Sequence, residues 1–113
     1  DDFIQLSGED GTALAYLAAG GHGCISVTSN IAPKLLSRMH NAWKQGDILT
    51  AQEINKKLMP LHDALFYETS PGPLKYAASL LGLCSSEARL PIVDIEKVSK
   101  TNVKDALGKA GLL

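Results

Sequence analysis

Residues 7–30 leave the chain little freedom in what it can fold into. They read SGEDGTALAYLAAGGHGCISVTSN. A polar, glycine-containing turn opens the stretch and a run of small helix formers follows. Gly20, Gly21, His22 and Gly23 then break the run before a second apolar segment, Cys24 to Thr28. Phe3, Ile4 and Leu6 form a short apolar run just upstream. Strand, loop, helix, tight turn, strand is a βαβ unit, and its crossover makes the strands parallel. The pattern predicts strands at 3–6 and 23–28 and a helix at 12–19, with Leu14, Leu17 and Ala18 on one face. Asp10 or Thr12 is the expected cap of that helix. The second strand is rich in β-branched residues and almost wholly apolar, as suits a strand covered on both faces.

The remaining chain reads as helix. Pro33 fits a first helical turn, and Leu35, Leu36, Met39 and Trp43 mark an apolar stripe through 34–45. Residues 49–67 carry Ile54, Leu58, Leu61 and Leu65 at spacings of four, three and four, with Pro60 expected to bend or split the helix. A Pro- and Gly-rich loop at 69–73 leads into a short helix at 74–81 that Gly82 ends. A polar connection at 85–91 precedes a last helix, started by Asp94 or Ser99 and closed near Gly111. The fold class is therefore α/β, two parallel strands with their helices and then helices alone. Two parallel strands make no stable sheet by themselves, so the pattern implies further strands upstream. The chain also opens on Asp1 with no initiator Met and enters a strand almost at once, which reads as a fragment.

Composition narrows the function classes. The 113 residues suffice for one core, and a 45% hydrophobic fraction with a net charge of -1 is ordinary for a globular domain. No basic excess points to nucleic acid or to an anionic membrane, and no apolar run is long enough to cross a bilayer. Cys24 and Cys84 read as two reduced core thiols of a cytoplasmic protein, with no zinc-like spacing to His.

Ligand sites in parallel α/β folds lie beyond the carboxyl ends of the strands. Here those ends are 7–10 and 28–30. Glu9 and Asp10 are candidates for acid–base chemistry, against the alternative that they cap the helix and lie in solvent. His22 falls at the opposite end of its strand and reads as a turn residue. His40 and His62 fall on helices, as surface or interhelical residues. The run of glycines at 20–23 follows a helix and precedes a strand, the reverse of a nucleotide-binding loop, so it reads as a tight αβ turn.

Four longer segments carry a resemblance: LSGED at 6–10, GGHGCISVTSNIAPKL at 20–35, LMPLHDALFYETSPGPLKYAASLLGL at 58–83 and ARLP at 88–91. With them, residues 3–113 resemble the C-terminal part of the dihydrodipicolinate synthase family, class I pyruvate aldolases on a (β/α)8 TIM barrel. The resemblance implies that residues 1–46 form the last two β/α units of the barrel and 47–113 a C-terminal helical extension. The first six strands would lie in an N-terminal portion outside this sequence.

The family condenses pyruvate with L-aspartate semialdehyde in lysine biosynthesis, through a lysine Schiff base that stabilises an enamine. That lysine, like the family's acid–base tyrosine, lies upstream of Asp1, so no catalytic residue carries over and the chain alone is expected to be inactive. Three substrate-binding residues do carry over. Ile25 matches the position whose backbone carbonyl lines the pyruvate pocket, and Gly8 the glycine beside the second substrate. Glu9 stands where many members have Asp. Ser26, Thr28 and Asn30 are candidate supporting groups at the barrel mouth, against the alternative of a purely structural role. The covalent imine is the electron sink, so the resemblance implies no metal and no cofactor. It also implies a cytoplasmic lyase that is a homo-oligomer, a tetramer as the whole protein. Other readings are a sister aldolase, such as N-acetylneuraminate lyase or a keto-sugar-acid aldolase, and a non-catalytic helical interaction module.

Overall fold

Backbone pairing realises the βαβ unit in its shortest form. In the computed structural model, which describes residues 2–113, β1 (Leu6–Ser7) and β2 (Gly23–Cys24) run parallel, Leu6 opposite Gly23 and Ser7 opposite Cys24. Helix α1 (Ala13–Ala18) connects them. A 3-10 turn, Thr28–Asn30, follows, and then α2 (Pro33–Lys44), α3 (Ile48–Ala64), α4 (Gly72–Leu80) and α5 (Lys97–Ala110). The architecture is helix-rich α/β with a two-stranded parallel sheet. Asp1, the opening residue of the fragment reading, lies outside the described residues. Contacts divide the chain into two units, Asp1–Lys56 and Lys57–Leu113, and the division falls within α3.

In the first unit both strands are shorter than their apolar runs. Phe3 and Ile4 stand outside β1 and are 74% and 68% exposed. Strand β2 stops at Cys24, and Ile25, expected to be covered on both faces, is 71% exposed. The cause is the supply of partners. Among the described residues each strand has one neighbour, so the second edge has no ladder to join. The N–H groups of Val27 and Thr28 turn instead to the Asp10 carboxylate, and the chain coils at Thr28–Asn30. Pro33 opens α2 as expected, and Leu36, Met39 and Ala42 are its buried face. Leu35 and Trp43, also placed on the stripe, are half-buried. Gly46 takes a left-handed φ of 78°, which lets the chain reverse, and Asp47 Oδ1 then accepts the Thr50 N–H (3.1 Å) at the start of α3.

Pro60 does not split α3, which is one helix from Ile48 to Ala64. Its ring removes one backbone donor, while Leu58 and Leu61 on either side of it are fully buried and hold the turn in place.

The core of the second unit is Leu58, Leu61, Leu65, Ala77, Val103 and Leu107. Neither residue expected to start α5 caps it. Ser99 is buried inside the helix, and Asp94 pairs with Lys100 Nζ at 2.5 Å, that ammonium lying 5.6 Å from the Tyr76 ring centroid. The Glu96 N–H at the N-cap donates to Glu68 Oε1 (2.9 Å) instead. Gly111, with φ 74°, closes α5 as expected. Both cysteines are free thiols, but Cys84 is exposed, because it lies past Gly82 in the irregular connection rather than on a packed face. Among the described residues no helix is long and apolar enough to cross a membrane.

Candidate functional site

The carboxyl ends of β1 and β2 carry one connected polar cluster. Ser7, 8% exposed, fixes the first end: its carbonyl accepts the Ile25 N–H (2.8 Å), and its hydroxyl accepts the Glu9 N–H (3.1 Å). That second bond curls residues 7–9 into a tight turn, as a serine hydroxyl does at the end of a strand. Gly8 and Glu9 ride on the outside of this turn, both exposed. Glu9 Oε1 accepts the Gly11 N–H (2.9 Å), which tethers its carboxylate over the loop without burying it.

Asp10 takes neither the capping role nor the solvent exposure given as the alternative to acid–base chemistry. It is 2% exposed and does not cap α1; Thr12 holds the N-cap position, without a side-chain bond. Asp10 Oδ2 accepts the N–H groups of Val27 (2.8 Å) and Thr28 (3.0 Å), and Oδ1 accepts the Ser26 hydroxyl through a very short contact. A buried carboxylate is tolerated where donors surround it, and three converge here from the end of β2. Ser26 Oγ in turn accepts the Ser29 N–H (2.8 Å), the Ser29 hydroxyl donates to the Ser26 carbonyl (3.0 Å), and Asn30 Nδ2 donates to the Val27 carbonyl (2.9 Å). Thr28 is fully buried.

Gly8, Glu9 and Ile25 thus lie at the same end of the parallel pair, linked through Ser7 and all open to solvent. His22 lies at the other end, where its Nδ1 accepts the Gln5 N–H, the turn role expected of it. His62 is 2% exposed on α3 in the second unit.

Beside the cluster, a cleft of about 370 Å³ is lined by Cys24, Ser26, Ser29, His40 and Lys44, among others. Burial, and after it the negative charge of Asp10, push the Cys24 thiol up, although a hydrogen bond with Ser7 opposes them. It is therefore a protonated thiol and a weak nucleophile at neutral pH. Burial, then the Lys44 ammonium, hold His40 below its ordinary value, against the pull of Asp10. The cluster offers hydrogen-bonding groups and oriented backbone rather than a paired nucleophile and base. Sequence reasoning missed the clamp that Asp10 forms and the place of His40 beside it. The available signal for the clamp was an acid at the end of one strand facing a Ser-Val-Thr at the end of its neighbour.

The sequence model of the dihydrodipicolinate synthetase family matches residues 1–110. The chain is 58% identical over 112 residues to a 4-hydroxy-tetrahydrodipicolinate synthase of Rhodospirillum centenum, covering 99% of this chain and 38% of that protein. It is 54% identical over 113 residues to the synthase of the same name from Bradyrhizobium diazoefficiens, covering 100% of this chain and 38% of that one. Among solved structures, dihydrodipicolinate synthase from Thermotoga maritima superposes with a TM-score of 0.96 at 39% identity, over 99% of this chain and 38% of that chain. The enzyme from Aquifex aeolicus gives 0.93 at 36% identity, over 99% and 38%. The chain therefore spans 37–38% of the length of the curated relatives it matches.

Proposed function

The chain belongs to the dihydrodipicolinate synthetase family, and from that premise we propose that it is the C-terminal part of a Schiff-base lyase. The enzyme it belongs to condenses pyruvate with L-aspartate semialdehyde. In this reading β1 and β2 are the last two strands of a (β/α)8 barrel, residues 1–46 hold the last two β/α units, and 47–113 form a helical extension. The other six strands and the imine-forming lysine come from residues outside this sequence. The observation that carries the proposal is the 58% identity, over 99% of this chain, to a protein bearing the synthase name. The exposed apolar residues Phe3, Ile4, Leu6 and Ile25 on the strand segments support it, since further strands of a barrel would cover them.

Within that barrel the Ile25 carbonyl lines the pyruvate pocket, while Gly8 and Glu9 sit beside the second substrate. Their location at the carboxyl ends of parallel strands is where such barrels bind ligands. The chain contributes binding groups and orientation, not the nucleophile. By the same family reading, the complete enzyme is proposed to be a cytoplasmic homo-oligomer.

Borohydride trapping tests the reading. The complete enzyme, incubated with pyruvate and reduced, is digested and mapped by mass spectrometry. The adduct is expected on a lysine outside residues 1–113, with the 113-residue chain unlabelled and without turnover. An adduct on Lys34, Lys75 or any other lysine of this chain would overturn the assignment.

A further inference from the structure

We propose that Asp10 is a positioning residue of this site: its buried carboxylate holds the backbone after Ile25 and so fixes the direction of the Ile25 carbonyl. The inference rests on the proposed function for the role of that carbonyl and goes beyond it in naming what orients it.

The three donors that converge on the carboxylate come from Ser26, Val27 and Thr28, the three residues directly after Ile25. On the other side, the Ile25 N–H is held by the Ser7 carbonyl at 2.8 Å. The carbonyl of Ile25 belongs to the peptide unit between these two anchors. A peptide unit is planar and turns only about its flanking dihedrals, so pinning both flanks leaves its carbonyl little freedom. Asp10 follows Gly8 and Glu9 directly, so one carboxylate also ties the turn carrying those two residues to the loop carrying Ile25. The bonds from Ser29 and Asn30 back to residues 26 and 27 stiffen that loop further. Asp10, 2% exposed with both oxygens engaged inward, acts through its neighbours rather than on substrate.

The test is steady-state kinetics in the complete enzyme. Asp10→Asn keeps the shape but offers one acceptor oxygen to three donors. It is expected to raise KM for pyruvate about ten-fold while kcat stays within about three-fold. Ser26→Ala removes one of the three donors and should raise the same KM about three-fold, and it decides the question if Asp10→Asn does not fold. Met39→Ala, which opens a cavity in the buried face of α2, should lower the unfolding temperature without moving pyruvate KM, separating orientation from general loss of stability. A pyruvate KM within about two-fold of the parent in the folded Asp10→Asn enzyme, or failing that in Ser26→Ala, overturns the proposal. If the parent enzyme itself forms no pyruvate imine, the proposed function falls; if it does and only KM fails to move, the role of Asp10 alone falls.

Discussion

Gln5 and His22 exchange two hydrogen bonds across the parallel pair: the Gln5 N–H donates to His22 Nδ1 (3.0 Å) and the His22 N–H donates to the Gln5 carbonyl (2.9 Å). The imidazole thereby takes an amide donor at the amino end of the strands and clips the αβ turn to the segment that enters β1. A backbone N–H can only donate, so Nδ1 must be unprotonated and the ring proton sits on Nε2. Nitrogen-15 NMR of the chain at neutral pH should show His22 as the Nε2–H tautomer. His22→Ala should cost about 0.5–1.5 kcal/mol in a urea unfolding experiment. An Nδ1–H signal for His22 would contradict the geometry.

The two thiols should react in a fixed order. Cys84 is exposed, whereas Cys24 is half-buried and its thiol is pushed up by burial and by Asp10 and Glu9. Thiolate is the reactive form, so Cys24 presents less of it at neutral pH and less surface as well. Brief iodoacetamide treatment followed by mass spectrometry should find the first adduct on Cys84, with Cys24 modified only on raising the pH or unfolding the chain. Equal labelling of both at neutral pH would show that the end of β2 is open.

His40 gives the first unit a pH dependence of definite sign. Its proton affinity is lowered in the folded chain, by burial first and by Lys44 second. The unfolded chain, near the ordinary value of 6.5, then binds the proton more readily than the folded one. The contribution is fully present above that value and is lost as the pH falls through the lower, folded one. Urea midpoints measured between about pH 7.5 and about pH 5.5 should therefore fall with pH, and His40→Gln should flatten that slope. An unchanged slope in the variant would assign the dependence to other groups.

Helical parts of the fold were legible because their signals are local. Pro33 opened α2, Gly82 and Gly111 ended α4 and α5, and the spacing of Ile54, Leu58 and Leu61 marked the buried face of α3. The strands were legible in existence and direction but not in length. Apolar residues such as Phe3 and Ile25 report that a position suits a covered sheet, and only neighbouring strands decide whether it is covered. Of the two expected caps, Thr12 holds the N-cap position and Asp10 does not, for a related reason. An acid just before a helix commonly serves the nearest amides, whereas the donors that Asp10 accepts lie 16 to 18 residues on, brought near by the crossover. The strand-end location of Gly8 and Glu9 followed from the βαβ pattern, whereas Ile25 was expected inside a longer second strand that in fact stops at Cys24; the substrate roles of all three came from the family resemblance and not from any local pattern.

Two glycines separate structure from binding. A Cβ on Gly21 would lie 2.2 Å from Tyr16 Cδ1 and 2.9 Å from the Tyr16 carbonyl oxygen, whose bond from the Gly21 N–H (2.9 Å) closes the turn after α1. The ring can swing away but the carbonyl cannot, so Gly21→Ala should destabilise the chain by about 1–3 kcal/mol. A Cβ on Gly8 meets nothing within 4 Å, and no positive φ opposes it. Gly8→Ala should therefore unfold within about 0.5 kcal/mol of the parent. In the complete enzyme the same methyl group would project where the second substrate is proposed to sit. KM for L-aspartate semialdehyde should then rise by about ten-fold with pyruvate KM little changed. Because folding is expected to be indifferent to that methyl group, such a change could not be blamed on a damaged fold. An unmoved semialdehyde KM would remove Gly8 from the binding surface.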